Sequence, residues 1–113
     1  KVDKVYWPGF ATHKNHDVAK AQMRGFGGMI SFSLKGNNLE DAKKVVSNTE
    51  YFVLAESLGG VESLIGHPAT MTHGSIPKEE REKIGIVDSL IRLSVGVEDA
   101  EDLIEDLNQA LKF

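Results

Sequence analysis

The chain contains no cysteine. That excludes a disulfide scaffold and a thiolate metal site, and it is compatible with the cytoplasm, the location expected here. No apolar run approaches the roughly 20 residues needed to span a bilayer. No signal peptide opens the chain, so no membrane partner is expected. Basic residues are in the minority, 13 against 17 acidic ones, for a net charge of −4, and the lysines are scattered rather than gathered into a stripe. Nucleic acid, which demands a concentrated positive surface, is therefore not an expected partner. What remains is 113 residues with 41% hydrophobic and 27% charged content, which predicts one ordinary globular domain. Such a chain buries about two thirds of its unfolded surface, enough for a core without staples.

The local pattern predicts an alternation of strands and helices. Val2 to Phe10 opens with a short Val5-Tyr6-Trp7 run suited to an edge strand, turned by Pro8-Gly9. His16 to Arg24 predicts a modest helix with Ala19, Gln22 and Met23 on one side, stopped by Gly25, Gly27 and Gly28. In Met29–Leu34, Ile30, Phe32 and Leu34 alternate with Ser31 and Ser33, the period of a half-buried strand. Lys35-Gly36-Asn37-Asn38 is a turn, and Asn38 is an N-cap for a helix bearing Leu39, Ala42, Val45 and Val46. Tyr51 to Ala55, continuously apolar, predicts a central strand covered on both sides. Gly66 to Gly74 is expected to be a loop or a short extended piece, and Pro77–Lys83 a small charged helix closed by Gly85. Leu90–Val95 is a further strand, and Asp99–Lys112 a final helix striped by Leu103, Leu107, Ala110 and Leu111. Asp99 is the expected N-cap, and the acidic run Glu98–Asp102 suits the positive end of the helix dipole without any ligand. The order strand, helix, strand, helix, strand, short helix, strand, helix predicts an α+β layer, with helices on one face of a small, mainly antiparallel sheet.

Few residues carry an obvious chemistry. His13 and His16 have only Asp17 close by in sequence, His67 and His73 are expected in a loop, and no HExxH or Cys/His spacing occurs. Surface or supporting histidines are expected rather than metal ligands. Gly25-Phe26-Gly27-Gly28 and Ser57-Leu58-Gly59-Gly60 fit neither phosphate-binding glycine pattern. The second follows an apolar strand, however, where ligand sites of α/β sheets occur. In Leu90–Val95, period-2 alternation puts Ile91, Leu93 and Val95 on one face and Leu90, Arg92 and Ser94 on the other. An arginine on a rigid strand suits bidentate carboxylate recognition, and equally a solvated sheet face. Glu56, ending the apolar strand, faces either water or a partner.

Several longer strings resemble one known family. Leu54-Ala55-Glu56-Ser57-Leu58-Gly59-Gly60-Val61-Glu62-Ser63-Leu64, His67-Pro68-Ala69 and Met71-Thr72-His73 are similar to signatures of the Cys/Met (transsulfuration) enzymes that depend on pyridoxal phosphate (PLP). So are Gln22-Met23, Gly25–Met29 and the Leu90–Asp99 string, in the family's order and spacing. The resemblance implies the small C-terminal domain of a fold-type I PLP enzyme over residues 1–113. It implies that Arg92 binds the substrate α-carboxylate, that the Ser57 backbone N–H helps hold it, and that Thr72 lies close by. Glu56 occupies the place where the family's β-lyases tend to carry tyrosine and its γ-synthases and γ-lyases glutamate, so the γ group is favoured. Substrates of that group are cystathionine, O-acylhomoserine, cysteine or homocysteine, and the family's usual assembly is a homotetramer. The Schiff-base lysine, the aspartate under the pyridinium nitrogen and the phosphate-binding turn belong to the family's larger preceding domain. Lys35, Lys43, Lys44 and Lys78 are expected on turns or charged helix faces, so no catalytic or cofactor-binding residue is expected within these residues, and the isolated chain is expected to be inert. Lys1 opens the chain without an initiator methionine, as a piece of a longer protein would. The alternative is a free-standing α+β module that binds a small ligand or partner without catalysis.

Overall fold

In the computed structural model, which describes all of residues 1–113, the elements run β1 (Val2–Tyr6), α1 (His16–Gln22), β2 (Met29–Leu34), α2 (Leu39–Ser47), β3 (Val53–Leu54), β4 (Leu64–Gly66), α3 (Lys78–Lys83), β5 (Ile91–Ser94) and α4 (Ala100–Ala110), with β4 added to the expected order. The strands form one sheet in the order β1-β2-β5-β4-β3. Pairing is antiparallel throughout except for β3 with β4, which is parallel. The layout is thus α+β and mainly antiparallel, as the sequence predicts. No helix is long and apolar enough to cross a membrane.

Alternation decides the buried face. Phe32 and Leu34 of β2, Ile65 of β4, and Ile91 and Leu93 of β5 point into one core with Phe52, against Ala42, Val45 and Val46 of α2 and Leu103 and Ala110 of α4. Each fully buried aliphatic side chain in that set contributes about 1.5–3 kcal/mol. Both helices start where a side chain can cap them. Asn38 Oδ1 accepts from the N–H groups of Glu40 (2.8 Å) and Asp41 (3.2 Å), and Asp99 Oδ1 accepts from that of Glu101 (2.9 Å). The turn into α2 requires left-handed backbone at Gly36 (φ 84°) and Asn37 (φ 47°), the residue types that adopt it most readily.

Three expectations need correction. Only α2 and α4 cover the core face, since α1 buries nothing and α3 buries only Arg81. Residues 51–55 are not a central strand. Only Val53 and Leu54 pair, at the sheet edge, 43% and 47% exposed, while Phe52 alone is buried. The inner place belongs to β4, whose Leu64-Ile65-Gly66 is buried throughout and pairs on both sides. It is too short to show a period of its own. Finally, α1 ends before its glycines, at Met23 in extended backbone (φ −109°, ψ 144°), so they do not act as its cap.

Candidate functional site

The sheet's second face carries the polar positions of the same strands. Ser31 of β2, Arg92 of β5 and Gly66 of β4 stand level in the register. Gly66, the register partner of Arg92 on β4, brings no side chain to that face. Between the parallel β3 and β4 the chain must return from the end of one strand to the start of the next. Parallel crossovers usually take a dozen residues or more and a helix. These strands are so short that the irregular segment 55–63 suffices.

That segment lies along β5 and the residues after it. The Arg92 Nη2 group donates to the Ser57 carbonyl (3.3 Å). The Gly59 N–H donates to Ser94 Oγ (2.8 Å), and the Val97 N–H to the Val61 carbonyl (2.9 Å). Ser63, fully buried, donates to Glu98 from its backbone N–H (2.8 Å) and its hydroxyl (2.7 Å), and the hydroxyl accepts from the Gly96 N–H (2.8 Å). Those bonds from Ser63, the backbone one foremost, hold the Glu98 carboxyl below the usual carboxylate range. Glu98 therefore does more than sit at a helix start, which the sequence reading did not foresee.

Of the four residues singled out from sequence, Arg92 and Ser57 are brought together directly. Arg92 is half-buried, and Ser57 is exposed. Of the five guanidinium N–H donors, one is engaged, and no acidic side chain pairs with Arg92 within the chain. Glu56 is exposed beside Ser57 and takes part in no ion pair. Thr72 is exposed on a turn, its hydroxyl bonded to His73 Nδ1 (2.7 Å) rather than to Arg92 or Ser57.

The turn that bears Thr72 is anchored by His67, which is 1% exposed and so takes the supporting rather than the surface role of the two expected for the histidines. Its Nε2 lies 2.6 Å from the Asp88 carbonyl, which can only accept, so that nitrogen carries a proton. Nδ1 pairs with the Thr70 hydroxyl at 2.8 Å. The Asp88 carboxylate in turn holds Lys78 (2.9 Å) and Arg81 (2.9 Å). The Lys78 hydrogen bond, with help from Arg81, depresses the Asp88 carboxyl despite its partial burial. The segment linking β4 to β5 is thereby fixed at both ends.

The histidines and acidic groups form no cluster of three that would hold a metal. A lysine that bonds a carbonyl cofactor works from a desolvated or electropositive pocket, whereas every lysine of this chain is exposed. Lys43, Lys44 and Lys78 are moreover paired with Glu40, Asp41 and Asp88.

The chain is an α+β unit in which a strand-borne arginine faces an ordered loop. Comparison with known proteins names its class. The family model for Cys/Met metabolism PLP-dependent enzymes matches residues 1–112. A cystathionine beta-lyase of Lactococcus lactis subsp. cremoris is 63% identical over 111 residues, covering 98% of this chain and 29% of the relative. A cystathionine gamma-lyase of Bacillus subtilis (strain 168) is 55% identical, with coverage of 98% and 29%. The solved cystathionine gamma synthase of Xanthomonas oryzae pv. oryzae, in complex with aminoacrylate and cysteine, superposes with a TM-score of 0.88 at 53% identity, covering 97% of this chain and 28% of that one. The chain therefore belongs to the Cys/Met metabolism PLP-dependent enzyme family. It spans less than a third of the length of the relatives it matches.

Proposed function

We propose that these residues are the C-terminal, substrate-carboxylate-binding domain of a longer PLP enzyme of sulfur amino-acid metabolism, of the γ-synthase or γ-lyase type. The observation that carries the reading is Arg92. Among the other charged side chains drawn into the structure, Arg81, Asp88, Glu98 and Asp106 have hydrogen-bond partners of opposite character within the chain. Arg92 gives one bond to a carbonyl and keeps the rest of its donors unengaged. A half-buried guanidinium left so is suited to an external carboxylate, which it meets with two parallel bonds. The Ser57 backbone, one bond away, supplies the second wall of such a site.

The division of labour follows. PLP, held by the remainder of the longer protein, supplies the electron sink. This chain's residues bind and orient the amino-acid substrate, an O-acylhomoserine or cystathionine with cysteine or homocysteine as thiol partner, in a homotetrameric assembly. The γ assignment rests on Glu56, where tyrosine is the mark of the family's β-lyases. A second reading, β-elimination, is favoured by the name of the Lactococcus relative.

The test is steady-state kinetics of Arg92→Ala and Arg92→Lys in the longer protein, beside a melting curve. A charge-assisted bond contributes about 1.5–3 kcal/mol, so kcat/KM of the alanine variant is expected to fall by about ten- to a few hundred-fold. Lysine restores part of it, since a point charge lacks the planar fork. Near-normal kcat/KM in Arg92→Ala refutes the assignment, and a collapsed Tm makes Arg92 structural instead.

A further inference from the structure

The loop that carries Ser57 has nothing of its own to hold it. Residues 56–62 are all exposed and belong to no helix or strand, so burial does not fix their position. What fixes it is a row of hydrogen bonds to a single stretch of chain. Ser57 is tied to Arg92, Gly59 to Ser94, Val61 to Val97, and Ser63 to Gly96 and Glu98. Apart from the Gly96 bond the ties advance together along both segments, so the loop runs alongside β5 and its extension, held mostly through side chains because β2 and β4 already pair with both edges of β5. Ser94 shares the face and the strand of Arg92, two residues on. Gly59 follows Ser57 by the same step. The spacing between the Arg92 guanidinium and the Ser57 backbone is thus set from the next tie along, Ser94 Oγ, and from the far end by the Glu98 carboxylate. That carboxylate accepts twice from one buried serine and occupies both of its oxygens in doing so.

We propose that Ser94 and Glu98 are positioning residues that hold the Ser57–Ser63 loop against β5, so that one carboxylate meets the Arg92 guanidinium and the Ser57 backbone N–H together. The inference rests on the reading of Arg92 as the carboxylate-binding group. Neither side chain touches the substrate in this arrangement. Each acts through backbone, Ser94 through Gly59 and Glu98 through Ser63.

The consequence is a distinctive kinetic signature. A substrate carboxylate away from the reacting bond keeps its charge throughout the reaction, so its binding counts equally in ground and transition states. Loosening its site raises KM and leaves kcat in place. Replacing Ser94 by alanine removes the acceptor of one neutral hydrogen bond. Replacing Glu98 by glutamine leaves one acceptor oxygen for two donors and removes the charge. An increase in KM of about five- to thirty-fold is expected for each, the scale of one hydrogen bond lost or misplaced, with kcat within about twofold of the parent and PLP absorbance unchanged.

The experiment uses the longer PLP-containing protein, with Arg92→Ala, Ser94→Ala, Ser94→Thr and Glu98→Gln measured for kcat, KM and Tm. A raised KM in Ser94→Ala and Glu98→Gln, rescued in Ser94→Thr, which keeps the Oγ, supports the proposal. If Arg92→Ala is impaired while Ser94→Ala and Glu98→Gln keep the parent KM, the positioning role is overturned and the carboxylate reading stands. If Arg92→Ala is itself near normal, both fall together. Loss of kcat and Tm alongside KM marks a merely structural role and overturns the proposal. Should Glu98→Gln fail to fold, the Ser94→Ala and Ser94→Thr pair decides, because the Gly59 N–H that Ser94→Ala releases is exposed and water replaces its partner.

Discussion

Asp106 offers the sharpest test of the forces that hold this fold. It lies on α4, only 3% exposed, yet it is a carboxylate. Its oxygens accept from three successive backbone N–H groups, those of Glu50, Tyr51 (2.8 Å) and Phe52 (3.0 Å), the first the shortest at 2.6 Å. Gln109 Nε2 adds a fourth bond at 3.1 Å. Three amides converging on one anion form a concave nest, and here the nest is the turn from α2 into β3. Burial pushes the Asp106 carboxyl up, but the N–H bonds from Glu50, Phe52 and Tyr51 outweigh it, and the group stays below the usual carboxylate range. Asp106→Ala deletes those bonds and leaves the buried Phe52 N–H without a partner. One charge-assisted bond contributes about 1.5–3 kcal/mol and one orphaned buried donor costs about 1–3. Glu50 and Tyr51 are exposed and regain water, so about 3–4 kcal/mol in all is expected, a large part of a domain's usual 5–15. Asp106→Asn keeps one acceptor oxygen and costs about half as much. The pH dependence has a definite sign. A carboxyl whose folded pKa lies below its unfolded value stabilises the fold above the unfolded value, near 4, and loses that contribution as pH falls through the folded one. The gap in unfolding free energy between the parent chain and Asp106→Asn should therefore be constant from pH 7 to about 5 and narrow below pH 4. Denaturant unfolding followed by far-UV circular dichroism measures it. Asp88 and Glu98 titrate in the same window, but they are common to both proteins and cancel in the difference. A gap below about 0.5 kcal/mol for Asp106→Ala, or one that stays constant down to pH 3, would refute the charge-based account.

Two further outcomes are expected. A Cβ on Gly96 would lie 2.1 Å from the Val61 carbonyl and 2.7 Å from Glu98 Oε1, so Gly96→Ala must displace the loop, costing about 1–3 kcal/mol; limited proteolysis should then cut within residues 58–62 faster than in the parent, and equal rates would mean that the loop is not docked there. In the longer protein, Glu56→Tyr should shift cystathionine cleavage from 2-oxobutanoate towards pyruvate, read by chromatography of the two oxo acids. An unchanged ratio with activity retained leaves Glu56 an ordinary loop carboxylate.

The elements that were legible in sequence are those whose reason is local. β2 shows its alternation, α2 its cap and apolar spacing, and α4 its Asp99 cap and leucine stripe; each is present within a residue or two of the expected bounds. β3 and β4 were misread because their places depend on partners far away. Five apolar residues from Tyr51 argue for a buried strand by composition, but centrality is a property of pairing, and β4 takes that position by joining β5. Three residues followed by His67-Pro68 give no period to detect, and His67 is buried only because the Asp88 carbonyl and Thr70 meet it there.

The site divides along the same line. Alternation alone puts Arg92 opposite the core residues Ile91 and Leu93, and the structure agrees. Alternation also makes Ser94 an outward-facing residue, yet it is 2% exposed. The face that strand periodicity marks as open is partly roofed by a loop from more than 30 positions away, and no local pattern carries that information. Asp106 was different, because a usable signal existed. It stands three residues after Leu103 and four before Ala110, on the stripe that α4 turns to the core. A carboxylate on such a stripe is too costly to bury without partners, so its position alone demanded donors from a neighbouring element. The acidic run just before it, for which the helix dipole is reason enough in sequence, concealed a residue whose spacing set it apart.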